Sequence, residues 1–184
     1  MAITEFNKLD KELILMQGIP CSGKTTVLKK WMADNPTIDK ARNSIDQFFD
    51  IYKVPRLHNE ELAKALTRAQ IECFKRTAIA MAAGTAYIFV DNEHIRRKDI
   101  ERYEQLAKKY NYIISIWKIS VSVDECTQRH VSLLKVAPEY LMPLERNINR
   151  KSKQIEGFPF HYHPMLTGPI VKKYNDSELE DLYM

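Results

Sequence analysis

The chain has 184 residues, of which 45% are hydrophobic and 28% are charged, and its formal net charge is +4. This length and balance predict a single domain over residues 1–184 with a full hydrophobic core. The mild positive charge permits a nucleic-acid partner without requiring one. The cysteines lack the spacing of a zinc or disulfide framework, no apolar run approaches a membrane span, and residues 1–10 lack a signal-peptide core. We therefore expect a cytoplasmic protein in a reducing setting, with no membrane anchor.

The first predicted strand, Leu13 to Gln17, leads into the motif G-x-x-x-x-G-K-T and then into a helical stretch that ends before Pro36. A strand, a glycine-rich loop and a helix in this order are the context of a phosphate-binding P-loop. The backbone N–H groups of such a loop, with the N-terminus of the helix, face one point and bind phosphate. We therefore predict a site for ATP or GTP formed by Gly18, Ile19, Pro20, Cys21, Ser22, Gly23, Lys24, Thr25 and Thr26.

Two side chains of the motif carry specific roles. Lys24 can reach the β- and γ-phosphates, and the Thr25 hydroxyl can bind Mg²⁺. The alternative is a glycine turn that binds no nucleotide, but a chance match would rarely also supply the strand and the helix.

A short second strand is predicted around Ala41 to Ile45, and Asp46 follows it directly. A carboxylate in this position can accept the proton of an acceptor hydroxyl and hold it in line with the γ-phosphate. The alternative for Asp46 is a helix N-cap, since aspartate is a preferred cap residue.

A long helix is predicted over residues 59–83 and ends at Gly84, a C-cap residue. The next strand, residues 86–90, consists of apolar residues that end in Asp91, which has the form of a Walker B strand. Asp91 can bind Mg²⁺ or its water shell, or bind the acceptor together with Asn92; a turn or cap is the alternative. The basic pair after it, Arg96 and Arg97, either follows a nucleic-acid backbone or starts a solvated helix.

The remaining elements alternate in the same way. The pattern predicts a helix over residues 98–110, a strand over 112–119, a helix over 123–133, a helix from Pro138 towards Arg150 and a short strand at 170–171, within a tail that is irregular from about residue 156. Arg129 lies late in one helix, and we expect residues 129–138 to form a lid over the phosphates, because arginine binds two phosphate oxygens at once.

Strands that alternate with helices predict an α/β fold, a three-layer sandwich around a mostly parallel sheet, of the P-loop NTPase or kinase type. Ligands of such sheets bind beyond the carboxyl ends of the strands. The P-loop, Asp46 and Asp91 should therefore meet at one edge, although they are far apart in sequence.

The order of these segments resembles the P-loop kinase domain of bacteriophage-type polynucleotide 5′-hydroxyl kinases over roughly residues 12–150. The P-loop, Asp46, the strand-end Asp91 with the arginines beyond it, and Arg129 match the family's pattern in order. The resemblance implies transfer of the γ-phosphate of ATP, with Mg²⁺, to a 5′-hydroxyl of DNA or RNA. Lys24 and Thr25 would then hold phosphates and metal, Asp46 would be the general base, and Arg129 would neutralise transition-state charge.

The acceptor side departs from that family. Where the family has an arginine that holds the acceptor's phosphate, this chain has Phe48 and Phe49, which suit a stacked base better. A phage kinase that phosphorylates hydroxymethylated bases in DNA, such as 5-hydroxymethyluracil, is therefore an alternative. A small-molecule kinase for a nucleoside, nucleotide or sugar is another, and a nucleotide-binding switch or ATPase that transfers nothing is the last.

Overall fold

The structure is a computed structural model, and it describes residues 11–48, 59–134, 141–156 and 170–174. Side chains are described for these residues apart from Asn59, Leu134 and the last range. The described residues form, in chain order, β1 (Glu12–Gln17), α1 (Lys24–Asp34), β2 (Lys40–Asn43), a 3-10 turn (Ile45–Gln47), α2 (Asn59–Ala83), β3 (Tyr87–Val90), α3 (Arg97–Tyr110), β4 (Ile113–Ile119), α4 (Val123–Leu134), α5 (Leu141–Glu156) and β5 (Ile170–Tyr174).

The five strands form one sheet in the order β2-β3-β1-β4-β5, and every neighbouring pair is parallel. This arrangement confirms the predicted parallel α/β sandwich. The central strand β1 is buried along Leu13–Gln17, as expected for a strand covered on both faces. The register pairs Leu15 and Asn43 with Val90, so the carboxyl ends of β1, β2 and β3 lie side by side.

Alternate residues of β1 divide the core between the two faces of the sheet. Leu13 and Leu15 pack with residues of α2 and α3, whereas Ile14 and Met16 pack with Val27 and Leu28 of α1 and with Trp117 and Phe89. A third cluster joins Ile19, just after β1, to α4 and α5. These three clusters fix the loops at the carboxyl ends of the strands.

Local signals explain where the helices begin and end. Gly23 has a φ of 92° and precedes α1, and Asn35 caps that helix one residue before Pro36. Gly84 has a φ of +82°, so the left-handed C-cap predicted after the long helix is confirmed. Asn111 closes α3 in the same left-handed conformation. Of the described helices, none has the length and hydrophobicity that a bilayer crossing demands.

Candidate functional site

The loop between β1 and α1 is built from unusual backbone conformations. Cys21 and Gly23 have φ angles of 61° and 92°, both in the left-handed region. Left-handed residues in a turn direct neighbouring N–H groups toward one concavity, which is a nest for an anion. Gly23 is also the residue that precedes α1, so the loop leads directly into a helix N-terminus. The geometry is that of a phosphate-binding loop.

Gly18 is held where no side chain fits. A Cβ atom there would lie 2.6 Å from Ser22 Oγ and 2.9 Å from the carbonyl oxygen of Ile119. The Gly18 N–H donates to the carbonyl of Glu93 at 3.2 Å, which ties the loop to the segment after β3. Close packing, and not a special φ angle, therefore requires glycine at the start of the loop.

The Lys24 side chain turns back onto the loop. Its Nζ donates to the carbonyl oxygens of Gly18 and Ile19 at 3.0 and 2.9 Å. Burial lowers the pKa of Lys24, an effect that the nearby carboxylates of Glu93 and Asp91 oppose. The ammonium is thus enclosed at the point where the phosphates of a nucleotide would be bound.

A carboxylate directly after β3 connects that strand to β2 and to helix α1. Asp91 is buried and its Oδ2 accepts the hydroxyl of Thr25 at 2.8 Å. The same oxygen accepts Nε and Nη2 of Arg42 at 3.0 and 2.7 Å. The predicted proximity of Asp91 to the P-loop is therefore observed, and Arg42 joins them.

The 3-10 turn is fastened to the same segment. Ser44 Oγ donates to the backbone oxygen of Asp91 at 3.0 Å, and the Ile45 N–H donates to Asn92 Oδ1 at 2.9 Å. Ser44 is the N-cap of the turn, and Asp46 lies inside it. Ser44, two residues earlier, fills the cap position, so the cap alternative for Asp46 is wrong. The Asp46 side chain therefore remains available to the cavity.

Much of the Asp46 surface is open to the cavity that it shares with Lys24 and Asp91, and the rest is covered by protein. Partial burial by the surrounding protein raises its pKa, and the negative charge of Asp91 raises it further. Arg42 and Lys24 act in the opposite direction. The carboxyl therefore binds its proton more tightly than an ordinary aspartate, which is the change that a general base working near neutral pH requires.

The cavity has a volume of about 1340 Å³ and is lined by the P-loop, the 3-10 turn, the segment after β3 and helices α3, α4 and α5. Common small-molecule pockets have volumes of roughly 300–1,000 Å³, so this cavity has room for a second group beside a nucleotide. Its basic lining residues are Lys24, Arg96, Arg102, Arg129, His130, Arg150 and Lys151. Four carboxylates, those of Asp46, Asp91, Glu93 and Asp99, also line it, so the six lysines and arginines leave only a modest positive excess. A positive excess suits a substrate that carries negative charges.

Arg129 lies on α4 and lines the cavity. Its Nη1 is 3.5 Å from the carbonyl oxygen of Cys21, and its Nη2 forms an ion pair with Glu125 one turn earlier. The guanidinium therefore lies beside the P-loop, as the predicted lid arginine requires. Of the predicted lid, residues 135–138 lie outside the described residues, as does the tail from 157 to 169.

The predicted acceptor residues separate into different places. Arg96 lines the cavity, but it also precedes α3 and pairs with Asp99 at 2.9 Å. Arg97 lies on the flank of α3 and pairs with Glu101 and Glu104, at 3.1 and 2.9 Å. These contacts agree with the helix-start alternative, so a part in acceptor binding stays a prediction for both arginines.

Phe48, the described member of the aromatic pair, does not line the large cavity. Phe48 packs against the core on the α2 side, under the guanidinium of Arg76 at 4.6 Å, and lines a separate small cavity with Glu72. Phe49 lies outside the described residues. Base stacking on this pair stays a prediction.

Sequence reasoning missed several residues of the site. Arg42 reaches Asp91 only because β2 lies beside β3. Lys151 on α5 contacts Glu93 at 2.7 Å, which joins α5 to the segment after β3. His94 is buried with a φ of 45°, and its Nδ1 lies 2.7 Å from the carbonyl oxygen of Met16. A weak signal for Arg42 was its position near the end of a predicted strand.

The donor atoms at the loop fit magnesium. The Thr25 hydroxyl is an oxygen donor of the kind that Mg²⁺ prefers, and Mg²⁺ usually takes its other ligands from phosphates and water. Oδ2 of Asp91 beside it already accepts hydrogen bonds from Thr25 and Arg42. Thr25 donates its proton to Asp91, so the lone pairs of its oxygen are left for a metal. Among the described residues, no group of three or more His, Cys, Asp and Glu side chains forms a separate metal site.

Solved structures share the fold at low sequence identity. A candidate kinase from Chloroflexus aurantiacus has a TM-score of 0.66 at 17% identity, over 94% of this chain and 89% of that chain. Kti12 of Chaetomium thermophilum, in complex with ADP-AlF3, has a TM-score of 0.54 at 14% identity, over 93% and 95%.

A chain of the Pnkp1/Rnl/Hen1 RNA repair complex has a TM-score of 0.59 at 14% identity, over 91% of this chain. The match spans only 52% of that longer chain. These likenesses confirm the P-loop NTPase or kinase fold.

One family model matches residues 13–132, which are more than half of the chain and include the P-loop, Asp46, Asp91 and Arg129. The matched range begins at β1 and ends in α4, so it contains four of the five strands. The family is described as an AAA domain, and the chain belongs to it.

Proposed function

We propose that the protein is an ATP-dependent kinase that transfers the γ-phosphate to a hydroxyl of a nucleic acid, with a polynucleotide 5′-hydroxyl as the first candidate. The observation that carries the proposal is that Lys24, the Thr25–Asp91 pair and Asp46 line one cavity. The residues proposed to bind phosphate and the proposed general base therefore face the same cavity.

In the proposed reaction Asp46 accepts the proton of the acceptor hydroxyl. The acceptor oxygen forms a bond to the γ-phosphorus of ATP while the bond from that phosphorus to the β,γ-bridging oxygen breaks, and ADP leaves. The Lys24 ammonium and the Arg129 guanidinium stabilise the charge on the moving phosphoryl group. Thr25, oriented by Asp91, would hold the metal, which when bound supplies positive charge beside the β- and γ-phosphates.

The size and charge of the cavity support a nucleic acid as the acceptor. Beside the nucleotide site, the wall includes Arg96 just before α3, Arg102 on α3 and Arg150 on α5. Arginines bind phosphate oxygens through a planar fork, and a polynucleotide end would bring several phosphates to this wall. One chain that shares the fold belongs to an RNA repair complex, which agrees with this choice.

The test is phosphate transfer from labelled ATP to a panel of acceptors: 5′-hydroxyl DNA, 5′-hydroxyl RNA, duplex DNA with hydroxymethylated bases, and free nucleosides. We expect label at oligonucleotide 5′ ends, lost in Asp46→Asn. Label on internal hydroxymethyl groups would establish the DNA-modification kinase instead. Label on free nucleosides alone would establish a small-molecule kinase, and ATP hydrolysis that no acceptor changes would contradict a kinase altogether.

A further inference from the structure

One oxygen of the Asp91 carboxylate accepts several hydrogen bonds. Oδ2 accepts three hydrogen bonds: from Thr25 Oγ1 at 2.8 Å, from Arg42 Nε at 3.0 Å and from Arg42 Nη2 at 2.7 Å. A carboxylate oxygen offers about two lone-pair sites. This oxygen is therefore saturated by protein donors and has no lone pair left for a metal ion.

Arg42 also neutralises the charge of Asp91. The Asp91 side chain is 2% exposed and that of Arg42 is 25% exposed, so the pair is shielded from water. Charge-assisted hydrogen bonds in such surroundings are stronger than neutral ones. A divalent cation that approaches Thr25 therefore meets an ion pair instead of a bare carboxylate.

The fold holds the guanidinium in this place. β2 and β3 are parallel neighbours, and Asn43, the residue after Arg42, is paired with Val90, the residue before Asp91. The Asp91 N–H donates to the carbonyl of Asn43 at 2.8 Å, which extends the pairing by one step. Arg42 and Asp91 thus sit on adjoining strand ends that cannot slide relative to each other without breaking the sheet.

We propose that Arg42 is a positioning residue that keeps Asp91 as the hydrogen-bond acceptor of Thr25, prevents Asp91 Oδ2 from binding magnesium directly, and thereby sets the magnesium concentration that nucleotide binding requires. The inference rests on the proposed function only in so far as a magnesium–nucleotide complex occupies the P-loop. It needs no acceptor, so it can be tested by binding alone.

The test is the binding of a non-hydrolysable ATP analogue at a series of Mg²⁺ concentrations. Arg42→Gln removes the competing positive charge, so we expect its Mg²⁺ midpoint to fall by about tenfold or more. Arg42→Lys keeps a charge without the two-nitrogen contact and should lie between wild type and Arg42→Gln. It also serves if the glutamine variant does not fold.

Lys40→Gln is the matched control. Lys40 lies two residues before Arg42 on β2 and therefore on the same face of the strand, but its ammonium donates to the carbonyls of Asn35 and Ile38. We expect its midpoint to equal that of wild type. The same shift in Lys40→Gln would mean a general effect of net charge and would overturn the inference.

A double-mutant cycle separates action through Asp91 from action on the fold. In an Asp91→Asn background, Arg42→Gln should shift the Mg²⁺ midpoint by less than it does in the wild-type background, because the carboxylate for which the guanidinium and the metal compete is already gone. An unchanged or raised midpoint for Arg42→Gln in the wild-type background overturns the inference and leaves the proposed function intact. If the wild type binds no nucleotide at any Mg²⁺ concentration, both are overturned.

Discussion

The side-chain nitrogen of Lys24 donates a hydrogen bond to the carbonyl oxygen of Gly18 at 3.0 Å, so the lysine of the P-loop is held by the residue that opens the loop. The contact pre-orients the ammonium without a bound phosphate. Because Gly18 both opens the loop and holds Lys24, a change at either residue should affect nucleotide binding.

Replacement of Lys24 by glutamine should weaken ATP binding by about 10- to 100-fold, because hydrogen bonds to a charged group contribute about 1.5–3 kcal/mol. The control is Lys29→Gln, which removes an exposed lysine from the same helix. Isothermal titration calorimetry with an ATP analogue in magnesium buffer measures both. Equal affinities for the two variants would contradict the assignment of Lys24.

Replacement of Gly18 by alanine should damage both stability and nucleotide binding. The new Cβ would conflict with the carbonyl of Ile119, which is backbone and cannot move aside as a side chain can. Overpacking of this kind costs about 1–3 kcal/mol. Thermal unfolding and analogue binding are the measurements.

Gly84→Ala is the contrasting variant for that experiment. Gly84 has a φ of +82°, which costs an alanine about 1–2 kcal/mol, but the residue ends α2 away from the loop. It should lower the unfolding temperature and leave nucleotide affinity unchanged. A loss of affinity in Gly84→Ala would show that the effect at Gly18 is only a consequence of lower stability.

The carboxyl of Asp46 should govern how phosphate transfer depends on pH. Partial burial, and then the charge of Asp91, raise its pKa above the ordinary value of 3.8. The base acts when deprotonated, so the rate of phosphate transfer should reach its plateau above the raised pKa. The rate should fall as pH decreases through that pKa. Asp46→Asn should lower transfer by about 10²–10⁴-fold and preserve ATP binding.

Asp34→Asn, at an exposed position on α1, is the control for Asp46→Asn. It should retain the wild-type rate of phosphate transfer and the wild-type decrease of that rate at low pH. Transfer by Asp46→Asn at more than one tenth of the wild-type rate would assign the general base to another residue.

His94 should make the folded state sensitive to mild acid. Its Nδ1 lies against a carbonyl oxygen, which can only accept a hydrogen bond, so the neutral ring carries its proton on Nδ1. Its Nε2 is buried and has no hydrogen-bond partner among the described residues. Burial lowers the pKa of His94 from 6.5 to about 4. Between these values the unfolded chain binds a proton that the folded chain does not, so stability decreases as pH falls from about 6.5 to 4.

The expected loss is about 3 kcal/mol, since each pKa unit corresponds to about 1.4 kcal/mol. Urea unfolding at several pH values measures it. His94→Asn is the comparison, because asparagine tolerates the φ of 45° at this position. Its free energy of unfolding should vary less over this window than that of wild type; parallel curves would exclude His94 as the source.

The alternation of strands and helices could be predicted because its signals are local. The apolar run before the P-loop, the helical period over residues 59–83 and Gly84 as its end all match the structure. The second strand was predicted as 41–45 but spans Lys40–Asn43, because Ser44 caps a 3-10 turn there. A short strand beside a turn leaves few residues from which to judge a period.

Contacts between distant elements could not be predicted in the same way. The rule that ligands bind at the carboxyl ends of strands brought Asp46, Asp91 and the P-loop together correctly as neighbours. The pairing of Arg42 with Asp91 depends on the strand order, in which β2 adjoins β3, and the sequence carries no local signal of that order. The contacts of Arg97 with Glu101 and Glu104 depend on rotamers that a run of charges does not specify.

Ile19 joins the phosphate loop to α4 and α5, since its side chain is 4% exposed and packs in the same cluster as Cys126, Ile148 and Ile155. The two helices therefore cannot detach without uncovering an apolar side chain of the loop. Nucleotide bound at the loop should slow amide exchange in the buried turns of both helices, and heating should abolish binding in the same transition that releases them.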